Sequence, residues 1–161
     1  MAYWLMKSEP ESFSIDDLKR RPRQTEPWDG VRNYQVRNMM RDQMQPGDEA
    51  FFYHSNCEVP GIYGLMTIAS RAYPDPTQFD PQHHHYDPKS KPEEPRWLLV
   101  DVRYQRTLRR PLSLAELRRH ERRLKGFQLL APGNRLSVMP VRPEHWAYLL
   151  ELETRPPPPG G

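Results

Sequence analysis

The chain has 161 residues, 28% of them charged, with a net charge of +3 and a pI near 9.1; that suits one domain around one core, and it permits an anionic partner without requiring one. A single cysteine, Cys57, excludes an internal disulfide framework and a cysteine-cluster zinc site. No apolar stretch approaches the roughly 20 residues of a membrane span, and the start, MAYWLMKSEP, lacks a basic region followed by a long apolar run, so the expectation is a soluble, intracellular, cytoplasmic protein with no membrane partner.

In chain order, YWLMK (3–7) is short, apolar and aromatic, and predicts a strand. SIDDLKR (14–20) predicts a short helix, with Ser14 as N-cap and Asp17 at the third helical position. Asn33 is placed to cap a second helix in which Val36, Met39, Met40 and Met44 recur near helical spacing and Pro46-Gly47 forms the stop. DEAFFYH (48–54) and GIYGLMTIAS (61–70) predict two strands. Between 74 and 96 prolines recur and apolar periodicity vanishes; a long loop of this kind inside a domain is usually functional or disordered. WLLVDVRYQR (97–106) is a further strand. Ser113 is a cap for a helix through LAELRRHERR, NRLSVMPV (134–141) is a short last strand, and Pro143 opens the closing helix PEHWAYLLELE. The domain is set at 1–153, with 154–161 a flexible Pro/Gly tail. There is no internal repeat. About five to six strands with short helices between them predict an α+β fold, a small barrel or strongly curved sheet.

Catalytic and metal motifs are weak. His54 and Cys57 lie three apart, but catalytic pairs are joined by the fold rather than by sequence, and there is no nucleophile elbow, Rossmann glycine set or phosphate-cradling loop. The run His83-His84-His85 invites a metal, yet consecutive loop residues rarely converge, and no distant Cys or His pair completes a zinc set. No catalytic residue, metal ligand or cofactor is therefore assigned. RRHERR (118–123) is read as a solvated helix face.

The better signal is aromatic and polar together. Trp28 stands just before the turn pair Asp29-Gly30, placed either to anchor the loop by core packing or as a stacking wall for a planar ring, a contact worth roughly 1–3 kcal/mol per base. His54, Ser55 and Asn56 end a strand and carry donors and acceptors for the polar edge of a heterocycle, with Tyr53 and Ser55 on one face and His54 and Asn56 on the other. The helix start near Asn33 and Tyr34, with Arg32, offers a place for a phosphate.

YWLMKSEPESFSIDDL, WDGVRNYQVRNMMR, DEAFFYHSN, GIYGLM, AYPDPTQFD, YDPKS, WLLVDV and RLSVMPV, in that order, resemble the EVE domain family from Tyr3 to about Leu152. The resemblance implies a PUA-like curved β-barrel and a non-catalytic reader of modified bases, with modified cytosine in DNA as the leading ligand; the relationship to YTH and PUA domains keeps RNA as an alternative, and an enzyme acting on a nucleobase or nucleotide as another, with Glu9 and His54 its candidate groups. It puts Trp28, Ser55 and Asn56 in the base pocket, joined by His54, and Lys7 and Ser8 beside the mouth with Arg32, Asn33 and Tyr34 on the rim. Tyr86 and Asp87, in the Tyr-Asp-Pro-Lys segment, are expected to close the pocket, Tyr86 as a second aromatic wall. The implied partner is nucleic acid; protein partners are left unassigned.

Overall fold

Apolar side chains alternate along the long strands so that both faces of one sheet are buried, and helices cover each face. The computed structural model describes residues 1–159. Its elements are β1 (Tyr3–Ser8), α1 (Ile15–Arg20), β2 (Thr25–Pro27), α2 (Tyr34–Asp42), β3 (Glu49–His54), β4 (Gly61–Ile68), β5 (Tyr73–Pro74), β6 (Leu98–Leu99), β7 (Asp101–Ser113), α3 (Leu114–Arg119), β8 (Val138–Val141) and α4 (Pro143–Glu153). Six strands form a curled half-barrel in the order β2-β7-β4-β3-β1-β8, while β5 and β6 make a separate ribbon. Only β1 and β3 run parallel. Register shifts between Phe52 and Tyr53 in β3, and along the β4–β7 ladder near Gly64 and Leu65, supply the bends that a curled sheet needs.

Trp4, Met6, Ala50, Phe52, Met66 and Val102 meet Ile15 and Leu18 of α1 and Val36, Met39 and Met40 of α2 in one apolar cluster. The alternate residues Leu5, Phe51, Tyr53, Leu65 and Met139 meet Leu117 of α3 and Trp146, Leu149 and Leu152 of α4 in the other. This two-sided burial explains the near-continuous apolar reading of β1 and β3. Asp48, buried at the start of β3, accepts from the Trp4 indole (3.0 Å) and from the N–H groups of Ala2 (3.1 Å) and Gln45 (3.0 Å). On the other side, Glu153 takes two bonds from the Arg106 guanidinium (2.7 and 2.8 Å) and one from the Arg109 N–H (2.6 Å), tying α4 to β7.

The caps fall where expected: Ser14 and Asp17 form a capping box, and Asn33 and Ser113 cap α2 and α3. The main differences in boundaries are these. The strand expected at 97–106 splits into β6 and β7, and β7 runs on to Ser113, because its polar residues lie on exposed positions beside the paired β4. Only Val138–Val141 of the last strand pairs, and α3 stops at Arg119. Met44 is buried but lies beyond the end of α2. The 74–96 segment is organised around Gln78, a buried amide that donates to the Asp75 and Trp97 carbonyls (2.7 and 2.8 Å) and accepts from Ser90 Oγ and the Trp97 N–H. Of the expected tail, Arg155 bonds Glu151 and its carbonyl accepts from Arg110, while Gly160 and Gly161 lie outside the described residues. Among the described residues no helix is long and apolar enough to cross a membrane.

Gly61 opens β4 where it crosses β7. A Cβ there would stand 2.4 Å from the Leu112 carbonyl oxygen and 2.7 Å from the Ser113 Cα, both backbone atoms. Gly61→Ala is therefore expected to cost about 1–3 kcal/mol as an overpacking change, measured as a lowered midpoint of urea unfolding; an unchanged midpoint would show that the ladder yields.

Candidate functional site

A cavity of about 580 Å³ opens where β1 and β2 end, within the size range of small-molecule sites. One side is Lys7, Ser8 and Glu9, running out of β1; another is Phe13 with Ser12 and Arg21 from around α1; the floor is Pro27, Trp28 and Asp29 at the end of β2; and the far wall is His83, His84 and His85.

Trp28 is 8% exposed. Its N–H donates to the Val100 carbonyl (2.8 Å), and its ring meets Phe52 edge-on (5.4 Å between centroids) and Phe13 (6.5 Å). Such packing from behind fixes the indole while part of it still lines the cavity. Burial lowers the pKa of Lys7, whose ammonium lies 6.0 Å from the centre of the Tyr53 ring. Arg21 lies against Phe13 and is paired with Glu26 (3.2 Å). Among the described residues Lys7 has no carboxylate within ion-pair distance, so it is the cavity's unbalanced cation.

The loop that carries Trp28 is tied down by one carboxylate. Asp75, fully buried, accepts from the Gly30 N–H (2.9 Å) and from Arg32 Nη1 (3.1 Å) with one oxygen, and from the Thr77 N–H (2.8 Å) and hydroxyl (2.6 Å) with the other. Arg32 also donates twice to the His85 carbonyl (2.6 and 3.1 Å), so the tryptophan loop, the 75–77 turn and the histidine wall form one unit. Gly30 has φ +83°, and a Cβ on it would lie 2.4 Å from the His85 ring; the turn needs glycine on both counts.

The expected site residues separate into three groups. Trp28, Lys7 and Ser8 line the cavity. Ser55 and Asn56 stand one step back: the Ser55 N–H donates to the Ser8 carbonyl (3.0 Å), and Asn56 donates to Glu9 (2.7 Å), which does line it. The strand ends at His54 and Asn56 has φ +51°, so the alternation of faces expected for residues 53–56 stops before Asn56. The remaining residues do not line it. His54 is buried, stacks on Tyr63 (4.1 Å) and accepts the Ile15 N–H at Nε2 (3.1 Å), with its pKa lowered mainly by burial. Arg32 is consumed by Asp75 and His85 as described. Asn33 caps α2 through the Val36 N–H (3.0 Å), and Tyr34 stacks on Trp97 (4.7 Å). Asp87 accepts the Trp97 indole N–H (2.7 Å), the main cause of its lowered pKa. Tyr86 is 40% exposed and does not line the cavity, which is lined on that side by the three histidines. Phe13, Arg21 and Asp29 were not singled out from sequence. Phe13 lies within the first stretch that carries the family resemblance but was given no role there, Arg21 follows α1 outside any motif, and only the turn chemistry of Asp29-Gly30 pointed to Asp29.

Residues 2–152 match the family described as the EVE domain. The chain belongs to the EVE domain family. It is 48% identical to human thymocyte nuclear protein 1 over 171 residues, covering 97% of this chain and 76% of that protein, and 51% identical to the Danio rerio protein of the same name over 169 residues, covering 96% and 73%. Among solved structures, that of human THYN1 in complex with 5-methylcytosine-containing DNA superposes with a TM-score of 0.93 at 48% identity, covering 98% of this chain and 100% of that one. A protein from Pseudomonas syringae superposes with a TM-score of 0.89 at 48% identity, covering 94% and 99%.

In this EVE domain burial alone would raise the Asp75 carboxyl, but the donors on Thr77, Gly30 and Arg32 outweigh it and hold the group below its ordinary 3.8. With the folded pKa below the unfolded one, the stabilisation is fully present above about pH 4 and is lost as pH falls through the folded value. Asp75→Ala is expected to cost about 3 kcal/mol at neutral pH, the lower end for a broken buried pair because Arg32 is partly exposed, and to weaken the acid dependence of unfolding. Urea titrations of both proteins at neutral and acid pH measure this, and matching curves would remove Asp75 from the role.

Proposed function

We propose that this EVE domain is a non-catalytic reader of modified cytosine in DNA, taking an unstacked base into the cavity above Trp28. The observation that carries this reading is a rigidly backed indole lining a cavity of suitable size, in a chain 48% identical to a protein solved with 5-methylcytosine DNA. Trp28 supplies the stacking face. Lys7, free of any carboxylate partner among the described residues, takes the flanking phosphate. The Glu9–Asn56 pair and Ser8 offer acceptors and donors to the polar edge of the ring, with Ser55 supporting Ser8 from the neighbouring strand. Arg32, Asn33, Tyr34, Asp87 and His54 serve by holding the loops, and Tyr86 has a place only at the outer rim.

An enzyme reading would need a free base beside a nucleophile. His54 Nε2 is occupied by the Ile15 N–H, which takes that imidazole out of general-base work and favours binding over turnover. An intracellular, cytoplasmic setting goes with a ligand that is cellular DNA.

Extracting a base costs a few kcal/mol, so affinity is expected to be modest. A methyl group adds an apolar contact of about 0.8 kcal/mol, or roughly fourfold. Trp28→Ala is expected to lose about 1–3 kcal/mol of binding, roughly five- to 150-fold, with Trp28→Phe retaining part of it and reporting on folding. The measurement is fluorescence anisotropy with DNA and RNA oligonucleotides that differ only in one cytosine modification. Equal affinity across the panel and for both variants would sink the proposal, and tighter binding of the RNA set would transfer it to RNA.

A further inference from the structure

We propose that His83, His84 and His85 form a binding site for a divalent transition-metal cation on the wall of the cavity. One ring nitrogen from each residue lies within 4.8 Å of the other two. The rings crowd together, His84 and His85 with centroids 3.9 Å apart and His83 and His84 4.6 Å apart.

Consecutive residues converge only when the backbone turns sharply beneath them, and here it does. The His83 N–H donates to the Asp80 carbonyl (3.0 Å), the Tyr86 N–H donates to the His83 carbonyl (3.0 Å), and Arg32 clamps the His85 carbonyl. The His85 ring is seated directly against Gly30, where no side chain competes for the space. His85 Nδ1 is buried and has no hydrogen-bond partner among the described residues, a second observation that points to a ligand at this cluster.

The donor set names the class of ion. Three imidazoles without a carboxylate suit zinc, copper(II), nickel or cobalt, and do not suit magnesium or calcium, which take oxygen ligands. Three protein ligands also leave coordination positions open to water or to a ligand in the cavity, the pattern of an open rather than a closed zinc site. Nitrogens bound to one zinc at about 2.0–2.1 Å lie closer together than these do, so binding must draw the rings inward. His83 Nδ1 accepts the His85 N–H at 3.0 Å, and that bond opens or the ring reverses when the ion enters, which tempers affinity.

This site stands independently of the base-reading proposal. The test is titration of the metal-free full chain with zinc by calorimetry and with cobalt(II) by visible absorption, alongside magnesium. One zinc or cobalt per chain is expected, with a nitrogen-ligand cobalt spectrum and no magnesium binding. His84→Ala, whose ring is exposed and makes no hydrogen bond, is expected to weaken zinc by at least the roughly tenfold that even outer-shell changes cost. His85→Ala is expected to do the same, and unfolding of both variants without metal confirms that they are folded. Absence of zinc binding, or unaltered binding in both folded variants, would overturn the assignment.

Discussion

One buried carboxylate holds the loops around the cavity together. Asp75 receives four donors from two separate stretches of chain, and through Arg32 it reaches a third. A bare buried charge is costly, so the carboxylate holds its donors in place as firmly as they hold it. The position of Trp28 depends on this, because the Gly30 N–H two residues on is one of those donors. The histidine wall depends on it as well, since the same guanidinium that pairs with Asp75 also grips the His85 carbonyl.

The cavity beneath is electrostatically mixed. Arg21 and Glu26 neutralise each other at its edge, Glu9 is steadied by Asn56, and Lys7 has no carboxylate partner among the described residues. A floor of aromatic edges stands under this polar rim: Trp28 leans on Phe52 and Phe13, and Phe52 is in turn part of the core between the sheet and the first two helices. The cavity lining is thus a continuation of the core.

Sequence periodicity recovered the elements that packing dictates. The caps at Ser14, Asn33 and Ser113 and the proline opening α4 were legible because each is a local rule satisfied locally. The extent of β7 was not, since its exposed arginines hide a strand whose pairing with β4 is decided at long range. The Pro-rich segment read as a loop because its order comes from buried polar groups, Gln78 and Asp75, which no hydrophobic pattern reveals. Of the residues that line the cavity, Trp28, Lys7 and Ser8 were named from the family resemblance. The location of Arg32, Tyr34, His54 and Asp87 was not legible, because residues that could equally touch a ligand or brace a loop look alike until their partners are seen. The histidine run was set aside for want of convergence, which depends on a turn formed by backbone hydrogen bonds.

The order of the sheet also bears on how the chain is made. β1 lies between β3 and β8, so the earliest-made strand of this sheet has one neighbour encoded nearby and another encoded far along the sequence. Until residues 138–141 emerge, one edge of β1 has open N–H and C=O groups beside apolar side chains, the arrangement that invites strand addition from another molecule. A nascent or prematurely terminated chain would carry that adhesive edge, and closing it late means a contact of long sequence separation and correspondingly slow assembly. The short β8 therefore covers the otherwise open edge of β1, and the interval before it is synthesised is when that edge is most exposed to aggregation.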